Sequence, residues 1–416
     1  MDKKSVVVIG GGIVGVCAAL EIQLAGHQVR LVDRRQPGRE TSYGNAGVLS
    51  ESSVLVINNP GLLKALPVIL GNRSTGVRYS LLHVLKRLPW VVRFLWHCRQ
   101  RQSEHAADAL RALMLLSLPR HKQLISQAGV NALLRYGGWM KLFRSPAGFK
   151  KYKAELAMMD RTGVNYSILE KDQIRQLEPG LSPIYHKAVL MDETCGVSDP
   201  AALTDAYIGL FTAAGGEVVE AAVTALTPTT GWTVSTATGD KLEADAVVLA
   251  AGAWSAELAA PLGYALPLAW ERGYHLHLQP NDRQPFRRAL HDIEAGYAMA
   301  PMTAGVRITS GVEFNSRDAA PNYSQIETAV ADARASHDLG AAVESTPWMG
   351  RRPTMIDSLP VIGAAPRHDG LYFDFGHQHL GLSMAPGSAL AIAALIDGRK
   401  APIDLAPFSP QRFAGL

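Results

Sequence analysis

The sequence predicts an α/β fold, and three stretches carry that prediction. Residues 5–33 read as strand, glycine turn, helix and strand; residues 217–249 alternate as short strands do; and residues 371–396 run strand, glycine turn, helix. With 416 residues, 47% hydrophobic and 19% charged, the chain can bury a large core and is expected to form two domains.

The opening stretch, "SVVVIGGGIVGVCAALEIQLAGHQVRLVD", begins with a β-branched run from Ser5 to Ile9. A helix is expected over 13–25, stopped by Gly26, and then a second β-branched run ending at Asp33, which makes a β-α-β unit. The basic start (Lys3, Lys4) and the uncharged residues up to Leu20 have the outline of a secretory signal. Gly10, Gly11, Gly12 and Gly15 would break a signal-type helix, however, and they suit a turn from strand to helix. No stretch reaches 18 apolar residues without charge or proline, so no membrane-spanning helix is expected.

Residues 52–103 differ in composition, holding eight Lys or Arg (Lys64, Arg73, Arg78, Lys86, Arg87, Arg93, Arg99, Arg101) and no acid. Leu81, Leu82, Leu85, Leu88, Val92 and Leu95 follow helical spacing there, with Trp90 and Trp96 nearby. Two readings stand: a basic face lying on an anionic membrane, or a helical flank whose charges are solvated. Residues 104–180 read as further helices, ending in "LEPGLSP". Strands are then expected in "EVVEAAVTAL", "GWTVSTAT" and "DAVVLAAG", at 274–278 and across 296–314, followed by a helix around 326–339. The tail closes with a strand at 371–375 and a helix at 388–396 stopped by Gly398.

The net charge of +4, without basic residues interleaved with aromatic ones, gives no reason to expect nucleic-acid binding. Cys17, Cys98 and Cys195 are scattered, without the close pairs of a metal or disulfide framework, so no metal is expected and a reducing, cytoplasmic compartment is.

Gly10, Gly12 and Gly15 form G-x-G-x-x-G between the first strand and its helix, and Asp33 follows Gly12 by 21 residues at the end of the second strand. The first glycine permits the tight turn, the second lets backbone approach a pyrophosphate, and the third allows close helix packing. The helix N-terminus favours phosphate charge, and Asp33 can accept from ribose hydroxyls, so this is a Rossmann-like dinucleotide site whose acid disfavours NADP. "TSYGNAG" (Thr41 to Gly47) and "VVLAAGAWS" (Val247 to Ser255) add small residues and backbone donors along which a long flavin nucleotide can lie.

Taken in order, "VVVIGGGIVG", "TSYGNAG", "VVLAAGAWS", "GRRPTMIDSLPVIG" and "FGHQHLGLSMAPGSALAIAALI" resemble the FAD-dependent D-amino-acid oxidase superfamily, closest to its bacterial D-amino-acid dehydrogenases. The resemblance implies a discontinuous FAD-binding domain (1–55, 166–262 and 346–416) and an α+β substrate domain on an antiparallel sheet (56–165 and 263–345). It implies non-covalent FAD held by Gly10, Gly12, Ile13, Val14, Gly15, Asp33 and Arg34, by Thr41, Ser42, Asn45, Ala46 and Gly47, by Val223, Ala251, Gly252 and Trp254, and by Gly376, His377, Gly381, Leu382 and Ser383. In its G-x-R-P motif the arginine pairs with a substrate carboxylate; that position is Arg352, whose planar guanidinium suits bidentate contact and whose follower Pro353 stiffens the backbone. Tyr274, alternating with His275, is a candidate to reach the substrate, and His377 and His379 are candidates to adjust its protonation.

The activity implied is oxidative deamination of a D-amino acid by hydride transfer from Cα to flavin N5, with electrons passed to a quinone or other respiratory-chain acceptor. Proline-like amines such as D-hydroxyproline and ordinary neutral D-amino acids both fit. A glycine- or sarcosine-type oxidase and a flavin-binding electron-relay subunit are the alternatives. On the membrane reading of 52–103 the protein would touch the inner face of the cell membrane; on the other it stays in the cytoplasm with that flank solvated.

Overall fold

The computed structural model describes residues 3–72, 74–281 and 286–414; Arg73 of the basic segment lies outside them. The strand Ser5–Ile9, helix Ile13–Leu24 and strand Gln28–Asp33 form the expected β-α-β unit. They sit in a six-stranded sheet ordered Glu217–Glu220, Gln28–Asp33, Ser5–Ile9, Ala246–Leu249, Leu371–Phe375, Val361–Ala364, parallel except for the last strand. The continuous apolar run of the first strand follows from burial on both faces. Val6 and Val8 enter a core shared with Ile13–Leu24, the long helix Gln100–Gln127 and the closing helix Gly381–Ile396. Val7 and Ile9 point the other way, towards Trp232 and Val234 of an antiparallel three-stranded sheet.

A Cβ on Gly15 would lie 1.8 Å from the Gly10 carbonyl oxygen, so the crossing of helix and strand requires glycine. Gly26, at φ +98°, ends the helix in the left-handed region.

The closing helix begins at Gly381, seven residues before the expected start, and runs through Pro386. Pro386 has no N–H to give the Leu382 carbonyl, which sequence rules read as a break. His121 supplies the missing donor: its Nε2 lies 2.7 Å from Leu382 O, and Tyr207 Oη lies 2.8 Å from its Nδ1. Gly387 N–H donates to Ser117 Oγ, which donates to Met384 O.

The second, eleven-stranded sheet is mostly antiparallel and is organised around the strand Leu268–Pro280. The expected strand at 274–278 is its second half; the first half was hidden by Glu271 and Arg272, both buried, Arg272 against Glu313 at 3.3 Å. Trp348–Met355 pairs antiparallel along it, with Glu271 opposite Arg352 and Tyr274 opposite Met349. Between 104 and 180, the strands Trp139–Phe143 and Ser167–Glu170 appear among the expected helices.

Sheet membership differs from the expected partition at three places. Ser167–Glu170 and Lys187–Met191, assigned to the nucleotide unit, extend the large sheet; Trp348–Met355 also pairs there; and Gln100–Gln127 packs on the closing helix as well as, through Ala107, on Phe143, Tyr152 and Met159 of the substrate unit.

The basic segment forms the helices Pro60–Leu70, Leu81–Lys86 and Leu88–Trp96. Trp90 anchors the last, donating to Pro267 O at 2.8 Å and stacking on Phe314. Val68, Leu70, Leu81, Leu82, Leu85, Leu88, Val92 and Trp96 remain exposed, Val68 at 71%. Among the described residues no helix is long and apolar enough to cross a membrane.

Candidate active site

A cavity of about 710 Å³ runs from the carboxyl ends of the parallel strands, at Ile9, Asp33, Ala250 and Phe375, to one face of the large sheet. Ligands bind at this edge of a doubly wound sheet because helix N-termini and strand ends leave backbone groups free there. Every residue expected to hold the cofactor lines it except Gly15 and Gly47, which serve close packing: a Cβ on Gly47 would lie 2.2 Å from Val197 O.

The nucleotide end fits a dinucleotide by its chemistry. Gly10 is at φ +110°, and Gly11 N–H donates to Asp33 Oδ2 at 2.6 Å, which fixes the glycine turn against the acid. Ser42 Oγ accepts from Ile13 N–H at 2.9 Å, satisfying one of the first free donors of the helix. Gly12 and Gly252 face open space, where only Ser42 Oγ, 3.4 Å from a Cβ on Gly12, approaches either. Side chains there would fill the space that the cofactor needs. The Arg34 guanidinium covers Trp254 at 4.0 Å from the ring centroid. Asp33, Gly12, Val14 and the N-terminus of Ile13–Leu24 would hold the pyrophosphate and ribose. Among the described residues no cysteine lines the cavity.

The loop 41–47 lies between the two sheets and is clamped from beneath. Buried Arg307 donates through one nitrogen to Tyr43 O at 2.8 Å and Asn45 O at 2.5 Å, and its Nε donates to His277 Nε2 at 3.0 Å. With Nε2 accepting, the His277 proton sits on Nδ1 and is given to Glu344. Asn45 Nδ2 in turn donates to His379 O at 3.2 Å, and Thr41 Oγ1 to Arg351 O at 2.8 Å, joining the loop to the tail and to the arginine strand.

At the other end stands Arg352. Gly273 lets its guanidinium lie across the neighbouring strand, since a Cβ there would meet Arg352 Nη2 at 2.4 Å. Its one protein hydrogen bond is to Gly311 O at 3.1 Å, and no carboxylate of the described residues comes within 4.0 Å. Burial lowers its pKa and the charge of Glu271 opposes that effect; burial in turn pushes the Glu271 carboxyl up to about 7. The turn after Phe375 is tied to this strand, because Gln378 N–H donates to Pro353 O at 2.9 Å.

Tyr274 is a correction. It borders the cavity, but its hydroxyl donates to Glu313 and accepts from Arg272 at 2.9 Å and Asn322 N–H at 3.1 Å, so no free proton or lone pair faces a substrate. His275 packs behind the loop on Trp348, 4.8 Å between ring centroids. His377 is buried with neither ring nitrogen hydrogen-bonded, its Nε2 3.5 Å from Asp374 Oδ1 in poor alignment. His379 is open to the cavity though deep inside the protein. Burial holds both imidazoles neutral, near pKa 3, so neither takes a proton from an amine near pH 7.

Trp139, His291, Ser310 and Gly311 also line the substrate end, and sequence reasoning passed over all four. The available signal was Lys141 in "WMKLF", a lysine inside an otherwise apolar run.

A cleft at the carboxyl edge of a doubly wound sheet, roofed by an antiparallel sheet that offers an unpaired arginine, defines a flavin-dependent oxidoreductase. The model of the FAD dependent oxidoreductase family (DAO) matches residues 5–395, and the chain belongs to that family. It is 35% identical, over 99% of both chains, to a D-amino-acid oxidase of Bradyrhizobium diazoefficiens. It is 30% identical, over 98% of this chain and 99% of the other, to a D-amino acid dehydrogenase of a Methylobacterium species. Two solved structures share the fold: glycine oxidase from Geobacillus kaustophilus (TM-score 0.76, 20% identity, 99% of both chains) and L-proline dehydrogenase from P. horikoshii (TM-score 0.76, 18% identity, 99% of this chain and 98% of the other).

Proposed function

We propose that the protein oxidises the α-carbon to nitrogen bond of D-amino acids, giving an imine that water converts to a 2-oxo acid. The observation that carries the reading is Arg352, a cavity-wall guanidinium without a carboxylate partner among the described residues. A substrate carboxylate completes it with a bidentate, charge-assisted pair and fixes which hydrogen on Cα faces the cofactor. Bound FAD supplies the two-electron, hydride-accepting chemistry. The N-terminus of Gly381–Ile396, at Gly381, Leu382 and Ser383, brings partial positive charge to the same cavity and favours negative charge developing there. Burial makes His377 and His379 too weakly basic to take the proton of a substrate ammonium near neutrality, so on this reading the amine binds already neutral. The D configuration is supported by the names of the relatives at 30–35% identity.

Electrons then pass to an acceptor other than oxygen. Supporting this is the exposed apolar face of residues 60–96 within an acid-free, basic segment, a surface suited to an anionic membrane holding a quinone pool. An oxygen-using oxidase is the second reading, favoured by the relative named D-amino-acid oxidase. The FAD-loaded enzyme, supplied with a D-amino acid in air with and without a soluble quinone, separates them. The proposal expects 2-oxo acid formation that depends on the quinone, with little peroxide. Stoichiometric peroxide without quinone overturns it in favour of the oxidase. Flotation with anionic vesicles at low salt tests the surface, and failure to bind sinks the membrane reading.

A further inference from the structure

We infer that Glu271 is the counter-charge of Arg352 while the site is empty, and that it takes up one proton from water when a substrate carboxylate binds the guanidinium. Anion binding and protonation of Glu271 are then one event. The inference rests on the reading of Arg352 as the holder of the α-carboxylate.

The two residues face each other on neighbouring strands. Glu271 lies opposite Arg352 where Leu268–Pro280 pairs antiparallel with Trp348–Met355, so both side chains leave the same face of the sheet. Gly273, two residues further along that face, leaves room for the guanidinium, which reaches the cavity wall. Glu271 is 4% exposed and is not among the residues that line the cavity, so it is a positioning residue that acts through Arg352. Its Oε2 has no hydrogen-bond partner, and no cation of the described residues comes within 4.0 Å of the carboxyl. Burial favours its protonated form, the Arg352 charge and the Thr354 hydroxyl favour the ionised one, and the balance falls at about 7. Near neutrality the empty site therefore holds both forms.

Charge counting gives the coupling. Ionised Glu271 and Arg352 sum to zero in the empty site. A substrate carboxylate would add a buried negative charge, which surroundings of low polarity penalise. One proton on Glu271 restores neutrality and leaves the guanidinium to a bidentate pair with the ligand. The 2-oxo acid product carries the same carboxylate, so Glu271 keeps the proton until the product leaves.

The other charged and titratable groups nearby are accounted for. Arg272 and Arg351, the next cross-strand pair, turn to the opposite face, where Arg272 meets Glu313 at 3.3 Å and Trp270 meets His83 and Arg87. On the Glu271 face, burial holds His275 neutral, as it does His379 and His377, whose backbone bridges to Thr354. Burial lowers Arg307 only to about 10, so it stays charged. Lys141 is the one competitor: burial lowers its ammonium to about 8, and its charge is felt at His379.

The test is calorimetric binding of propionate, a carboxylate without an amine, to the FAD-loaded, full-length protein between pH 6 and 8.5 in buffers of different ionisation enthalpy. Affinity is expected to fall roughly tenfold or more across that range, with more than about half a proton taken up per propionate at pH 7.5. Glu271→Gln should bind with an affinity independent of pH, take up no proton and exceed the wild type at pH 8.5. Lys141→Met should keep the wild-type fall. A wild-type affinity that is flat with pH, or a fall that survives in Glu271→Gln or vanishes in Lys141→Met, overturns the inference and leaves the proposed function standing. Absence of propionate binding, or binding unchanged in Arg352→Met, overturns it together with the reading of Arg352.

Discussion

The two ends of the cavity are made differently. The nucleotide end is centred on backbone and small side chains of one contiguous unit, in which Gly10, Gly11, Gly12 and Asp33 lie within a strand, a turn and the next strand, with Ser42, Gly252 and Trp254 added from other segments. The substrate end is charged and aromatic side chains, Arg352, Trp139 and His291, brought from separate strands of the large sheet. On the proposed reading the first takes a fixed ligand by shape and backbone donors, and the second takes a variable one through the single charge of Arg352. Mutations at the first should therefore weaken cofactor retention, and mutations at the second should change substrate constants while the cofactor stays bound.

The largest expected effect is at the nucleotide end. Gly15→Val places side-chain atoms where even a Cβ overlaps the Gly10 carbonyl, and the purified protein should carry no flavin or fail to fold, read from the ratio of absorbance at 450 and 280 nm. Full flavin content would break the comparison. Arg352→Met should come next, raising the apparent KM by roughly 30-fold or more, for a lost pair worth about 2 to 5 kcal/mol, with flavin content unchanged. Loss of flavin instead would mean that the two ends are not separable.

Two buried groups outside the nucleotide turn should respond to pH with opposite sign. At the closing helix, burial depresses His121 to a pKa of about 4, so the unfolded chain binds the proton first as pH falls. The stability this group contributes is present above about pH 6.5 and is lost as pH falls towards 4. At the substrate end, burial raises Glu271 to about 7, so the folded state holds the proton, and that contribution is present below about 4.5 and lost as pH rises through 7. Each spans about 2.5 pKa units, on the order of 3 kcal/mol. Thermal melts should show Glu271→Gln flattening only the alkaline limb and His121→Gln only the acid limb. An unchanged alkaline limb in Glu271→Gln would remove Glu271 from the account. The smallest effect belongs to Ser42→Ala, which leaves Ile13 N–H without its acceptor; a loss of about 1 kcal/mol, or roughly fivefold in FAD affinity, is expected from flavin titration of the apoprotein.

The same contrast explains what could be read from the sequence. The glycine turn, both flanking strands and Asp33 were legible because their constraints are local: spacing alone places them. Trp139 and His291 were not, because they meet through a parallel pairing of strands about 150 residues apart, and Lys141 reads as a surface lysine until its burial is seen. Tyr274 was misassigned because a strand's sequence does not say which face meets the ligand. The start of the closing helix was misread at Pro386 because His121, 261 residues from Leu382, satisfies the carbonyl that the proline leaves free. Local rules fail where a distant side chain meets the need.

The central claim is that one cavity joins a flavin nucleotide to a D-amino acid whose carboxylate is held by Arg352. Anaerobic bleaching of the bound flavin by matched D- and L-amino acids tests it most directly, because it needs no electron acceptor. Bleaching by D-enantiomers, with no response to the L-enantiomers, is the result predicted. Bleaching by L-amino acids alone, or by no amino acid of either hand, would contradict it.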